Sequence, residues 1–195
     1  GKAAYNGLLS SLMAKKGFTG ATRILEGDRG FFKAYSDEKD FESSFTDLGK
    51  FFRINETVYK PYASCRHTHG PINGILEIMK SNDLSYQDVD RVDVETYETV
   101  LKLAGNTDFS TSPAARFSVF YCIACAMIHG EVGVSQFADE YLADPVITQV
   151  LPRINVSVSE EMNALYPGKW ASKISITTKD GNSLQKFVEY PKGDP

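Results

Sequence analysis

Apolar side chains recur at helical spacing in residues 3–16 (AAYNGLLSSLMAKK), with Ala4, Leu8 and Leu12 in one row and Leu9 and Met13 beside it. Lys15 and Lys16 suit the negative end of a helix dipole, and Gly17 suits the position that follows it. Residues 18–50 are rich in Gly, Phe and Asp and predict loops, with short helices near 20–26 and 30–35. The alternation in RINETVYK (53–60) predicts a strand that Pro61 ends. Ile72, Ile75, Leu76 and Met79 fall at i, i+3, i+4 and i+7, and Pro71 fits the first turn of the helix they define. In DRVDVETY (90–97), Val92 and Val94 share one face and charged residues the other, as in a half-exposed strand.

Ser112 before Pro113 predicts a capped helix start, and the helix from 113 to 129 is apolar nearly all round, hence buried. Asp144-Pro145 begins another short helix. RINVSV (153–158) alternates as a strand, and the last apolar segment reads as a hairpin turning at Lys179-Asp180-Gly181-Asn182. The order lacks the regular βαβ alternation of a doubly wound sheet. It predicts an α+β fold: an antiparallel sheet of about four strands covered by helices on one face. No internal repeat, low-complexity tract or linker interrupts residues 1–195, which read as a single domain.

Composition narrows the class. Apolar residues make up 42 % of the chain and charged residues 24 %, as in an ordinary globular protein. A net charge of −4 excludes nucleic-acid binding by bulk electrostatics. The longest uncharged apolar stretch, Phe117 to Ile128, falls short of the roughly 20 residues a membrane span needs. Three cysteines, two of them in an apolar run, read as reduced thiols and predict a cytoplasmic protein. The opening GKAAYNG is not a usual start and suggests a fragment boundary.

Candidate chemistry concentrates in KPYASCRHTHG (60–70), which holds Lys60, Cys65, Arg66, His67 and His69 and no carboxylate. Cys65, His67 and His69 alternate, so an extended backbone would point all three one way, as zinc ligands. The full ligand set of a zinc site is not visible, however. Cys65 is also a candidate nucleophile, since nearby cations and a helix N-terminus lower a thiol pKa and His67 could take its proton. A third reading is an anion site: Lys60 and Arg66 supply fixed charge, His67 and His69 can add more, and the next helix offers free N–H groups. The plainest alternative leaves Lys60 and Arg66 solvated, with the two histidines capping the helix.

Arg116 and Tyr121 bear on that choice. An arginine entering an apolar helix needs a partner, and so does a buried tyrosine hydroxyl. Taken alone, the segment reads best as a core helix with Tyr121 bonded to backbone.

KPYASCRHTHGPING, AARFSVFYCIACAMIHGEV and LADPVITQVLPRINVSV, with GKAAYNGLLSSLMAKKGFTGATRILEG at one end and YPKGDP at the other, resemble the MmgE/PrpD family. That resemblance covers nearly the whole chain. It implies an all-helical large domain, absent from this chain, and a smaller α+β lid domain to which these residues correspond. It implies a homodimer when full-length and a cofactor-independent lyase acting on small di- and tricarboxylic acids. Within the family it points first to a hydro-lyase like 2-methylcitrate dehydratase, an enzyme of propionate catabolism. Cis-aconitate decarboxylase, an epimerase and a non-catalytic carboxylate-binding domain are the alternatives. The isolated chain is expected to be inactive.

By the same resemblance Lys60 and Tyr121 fall on the family's lysine and tyrosine, and Cys65, Arg66 and His69 on its Cys-Arg-x-x-His run; with the residues' own chemistry added, Lys60, His67 and Tyr121 would be catalytic, and Arg66, His69 and Arg116 would bind substrate. No metal or nucleotide is called for. Many members carry Pro where Ala63 stands, so the local turn differs here.

Overall fold

A computed structural model describes residues 1–37 and 42–194. The chain divides into two compact units, Gly1–Ile54 and Asn55–Pro195. In the first, the helical spacing gives α1 (Lys2–Lys15), closed at Lys16 and followed by Gly17 at φ +88°. Its apolar row is not covered within the unit: Tyr5, Leu8, Leu9, Leu12 and Met13 are all exposed. Residues 22–26 form turns rather than the expected helix. The short α2 (Phe31–Tyr35) packs Phe31 against Tyr35, their rings tilted by 35°, and sets Phe32 edge-on to Phe45.

The second unit begins beside a single 3-10 turn, Arg53–Glu56, where a strand was expected. Residues 57–60 take no regular secondary structure and join no sheet among the described residues; Tyr59 N–H donates to the Gly193 carbonyl. Alternation fits any extended segment, and only a neighbouring strand would turn it into a ladder. A 3-10 turn at Arg66–Thr68 leads into α3 (His69–Ser81), which buries the Ile72, Ile75 and Met79 face. Then come β1 (Val89–Thr96), α4 (Glu98–Ala104), α5 (Ser112–Arg116) and α6 (Val119–His129). After them follow α7 (Asp139–Leu142), α8 (Pro145–Val150), β2 (Ile154–Val158), α9 (Glu160–Leu165), β3 (Ser172–Thr178) and β4 (Ser183–Val188).

The fold is α+β, with the four strands in the order β2-β1-β3-β4. β3 pairs antiparallel with both β1 and β4, as expected. β1 and β2 run parallel, so the sheet is mixed. A parallel pair needs a crossover, and the chain supplies one in α4 to α8. Val92, Val94, Ile174 and Ile176 face inward and are fully buried, whereas Asp93, Glu95, Lys173 and Ser175 alternate with them on the opposite face. α3 packs on β3 and β4, and α6 packs on α3. The approach of α3 to β3 requires glycine: a Cβ on Gly74 would stand 2.3 Å from Ile174 Cδ1. No helix among the described residues is long and apolar enough to cross a membrane.

The expected helix 113–129 is two helices. Thr111, not Ser112, caps α5, its hydroxyl accepting from the Ala114 N–H. Ser118 is extended and caps α6 through the Tyr121 N–H at 3.2 Å. The break leaves the Arg116 carbonyl outside a helical ladder, and it accepts the Cys65 N–H at 2.8 Å. A capping serine three residues before Tyr121 was the sequence signal for this interruption.

Candidate functional site

The segment from Lys60 to His69 is held from two sides. On one, Ala63 N–H donates to the Val132 carbonyl, and the Arg116 guanidinium donates to the Ala63 carbonyl at 2.5 Å. Arg116 Nε also reaches Ser112 Oγ at 3.3 Å, and its guanidinium lies 4.6 Å above the Phe137 ring. Arg116 thus has the partners a part-buried arginine requires. On the other side, the segment Pro191–Asp194 bonds back through Gly193 to Tyr59 and through Lys192 N–H to Asn73 Oδ1.

A cleft of about 560 Å³ opens here, lined by Lys60, Tyr62, Cys65, Arg116, Phe117 and Val134. Lys60 is exposed, and its ammonium has no ion-pair partner among the described residues. A larger cavity of about 760 Å³ is lined by Tyr62, Glu77, Lys80 and His129 but by none of the six candidate residues.

Arg66 and His67 lead into an aromatic cluster. Arg66 bridges Asp194 at 2.5 Å and lies 4.0 Å above the Trp170 ring. The His67 ring stacks on Trp170 at 4.4 Å between centroids, 10° from parallel. Its Nδ1 lies 2.9 Å from the Tyr97 hydroxyl, and Tyr97 stacks in turn on Tyr166. Desolvation, with Arg66 and Lys60 nearby, holds His67 below the ordinary imidazole pKa, so it is neutral at pH 7. Burial pushes the Tyr97 hydroxyl well above the usual phenol range, so it stays protonated. Of these partners, Tyr97, Tyr166, Trp170 and Asp194 carried no sequence signal, since nothing local marks a contact across 128 positions such as Arg66 to Asp194.

His69 is fully buried at the start of α3, edge-on to Tyr62. Burial lowers its pKa to about 4, a hydrogen bond to the Ser64 backbone opposing the shift only in part. Its Nε2 and the Nε of Arg66 are sealed from solvent without a partner. Tyr121 is also fully buried, between Phe109 and Phe137, and its hydroxyl donates to the Gln136 carbonyl at 2.5 Å. That matches the plain reading of α6 as a core helix. The structure therefore brings Lys60, Cys65 and Arg116 to one cleft, places Arg66 and His67 on Trp170, and sets His69 and Tyr121 in the interior.

The 3-10 turn at 66–68 removes the alternation that would have aligned Cys65, His67 and His69. Among the described residues no group of three or more His, Cys, Asp or Glu side chains is placed to hold a metal ion.

These features define an α+β domain with a cleft lined by Lys60 and Arg116, and an aromatic cluster around Arg66 and His67. The chain belongs to the MmgE/PrpD family: residues 62–195 match its C-terminal domain and residues 1–44 its N-terminal domain. It is similar to the cis-aconitate decarboxylase of Aspergillus terreus, 26 % identical over 210 residues that cover 99 % of this chain and 43 % of the relative. It is also similar to the mitochondrial 2-methylcitrate dehydratase of Yarrowia lipolytica, 24 % identical over 206 residues, covering 99 % of this chain and 39 % of that one. The chain thus spans about two fifths of the length of these curated relatives.

Proposed function

We propose that this chain is the lid-type, substrate-facing part of a cofactor-independent lyase acting on small di- and tricarboxylic acids. The single observation that carries the reading is the cleft in which Lys60 and Arg116 meet Cys65, one residue from the Arg66–His67 pair. Taking a proton from carbon beside a carboxylate builds negative charge on a group already charged. Fixed cations stabilise that charge best where water is scarce. In this reading Lys60, with Arg116 behind it, faces the substrate carboxylates. His67 is the proton carrier: in the tautomer whose Nδ1–H donates to the Tyr97 oxygen, Nε2 is left as an acceptor. Arg66 adds charge at short range although it is already paired with Asp194.

His69 and Tyr121 support the site from within. For either to exchange a proton with substrate, its burial would have to be relieved, and for Tyr121 the bond to Gln136 given up.

Our first reading of the reaction is dehydration of a 2-methylcitrate-like acid. Decarboxylation of cis-aconitate is the second, favoured by the likeness to the Aspergillus terreus enzyme. Both acids present several carboxylates to one cationic cleft. The full-length protein that carries this chain, assayed with each acid, is expected to turn over one of them. Failure with both, in protein shown to be folded, would remove the lyase reading and leave a carboxylate-binding domain.

A further inference from the structure

Asp194 lies far along the chain from Arg66, yet it is placed with care. Its carboxylate side chain is only 8 % exposed. The segment that delivers it is fixed by the Tyr59 N–H to Gly193 carbonyl bond, the Lys192 N–H to Asn73 bond and the Asp194 N–H to Pro191 carbonyl bond. Gly193 sits at φ +94°, and a Cβ there would stand 2.1 Å from the Tyr59 carbonyl oxygen. Only glycine allows that approach. Arg66 has little other anchorage: its Nε has no partner, and its guanidinium contacts are Asp194 and the Trp170 face.

We infer that Asp194 is a positioning residue: its carboxylate keeps the Arg66 guanidinium over Trp170, and the packed Arg66–Trp170 pair fixes the ring of His67. The inference rests on the reading of His67 as proton carrier only for its effect on turnover. The charged and titratable groups around the imidazole are Arg66 and Lys60 from its own segment, Tyr97 from the start of α4 and Tyr166 from the end of α9. Without Asp194, Arg66 loses its only ion-pair partner among the described residues and leaves Trp170 for solvent. His67 then escapes a neighbouring cation and a wall of its cage.

The test is an NMR titration of the imidazole nitrogens in the chain itself, where there are three histidines to assign. In Asp194→Ala the His67 midpoint is expected to rise toward the ordinary value near 6.5, while His129 stays unmoved. Asp194→Asn keeps an acceptor for Arg66 without the charge; it should shift His67 the same way by less, and it serves if the alanine variant does not fold. An unmoved or lowered His67 midpoint in a folded variant overturns the inference, because Arg66 would then hold its place without Asp194. In the full-length protein, Asp194→Ala should lower kcat on the order of tenfold or more with KM within about twofold. Normal kcat alongside a shifted His67 overturns the link to catalysis. A shifted His67 in a parent protein that turns over neither acid overturns only the lyase reading and leaves the Asp194 contact standing.

Discussion

Tyr121 donates its hydroxyl to the backbone carbonyl of Gln136 from a position with no exposure to solvent. Removing that hydroxyl leaves a buried carbonyl without its partner. Tyr121→Phe is therefore expected to cost about 1–3 kcal/mol of stability, measured by urea unfolding, even in the isolated chain. If the residue also serves the proposed reaction, turnover of the full-length protein falls further than this loss of folded protein explains. A variant as stable as the parent would show that the Gln136 contact contributes little.

Lys60 provides the complementary case. It is exposed and lines the cleft, with no ion pair among the described residues. Lys60→Ala should leave the melting temperature unchanged and reduce turnover of the full-length protein on the order of 10²-fold. Near-normal turnover would dismiss Lys60 as a carboxylate-facing group.

The three thiols differ in access. Cys65 is half-buried at the cleft, whereas Cys122 and Cys125 are sealed inside α6, where burial pushes both thiols up to about 12. Because the thiolate is the reactive form, a maleimide should modify the native chain once, at Cys65, and three times after denaturation. If the cleft receives polyacids, citrate should slow the native reaction. Modification of Cys122 or Cys125 in the native state would contradict the packing of α6.

His69 makes stability depend on pH. Its folded pKa of about 4 lies below the usual imidazole value, so the unfolded chain binds more protons between about pH 6.5 and 4. Stability is full above that window and falls as pH drops through it, by up to about 3 kcal/mol from this residue. His67, lowered in the same direction, adds to the slope. Chemical denaturation at stepped pH should show the decline, and His69→Gln should flatten it. An equal slope in that variant would assign the acid sensitivity to other groups.

Gly74 tests the packing of α3 against the sheet. Alanine there gains helix propensity of about 1 kcal/mol but drives a Cβ into the Ile174 side chain, 2.3 Å from Cδ1 and 2.7 Å from Cγ1. Overpacking of this kind costs about 1–3 kcal/mol. The Gly74→Ala chain should be net destabilised, and the double variant with Ile174→Val should recover part of the loss.

The sequence was most legible where one local rule acts alone. Period-2 alternation marked β1 and β2, and Asp180-Gly181 marked the β3–β4 turn, where Gly181 takes φ +89°. Spacing likewise marked the buried face of α3. It failed where a partner decides the outcome. RINETVYK alternates like a strand but joins no sheet among the described residues, with Tyr59 bonded to the loop at Gly193, and the parallel β1–β2 pair depends on a long crossover that no local pattern encodes. α4, α7 and α9 are too short for periodicity to stand out. The same limit applies to the site. KPYASCRHTHG displayed its cations openly, yet their surroundings come from Tyr97, Tyr166, Trp170 and Asp194, which are distant in the chain.

The bond between Tyr59 and Gly193 means that the first and last segments of this unit stand side by side. A module whose two doorways adjoin can be lifted out and closed with a short bridge, or set into a loop of another scaffold, without stretching its interior.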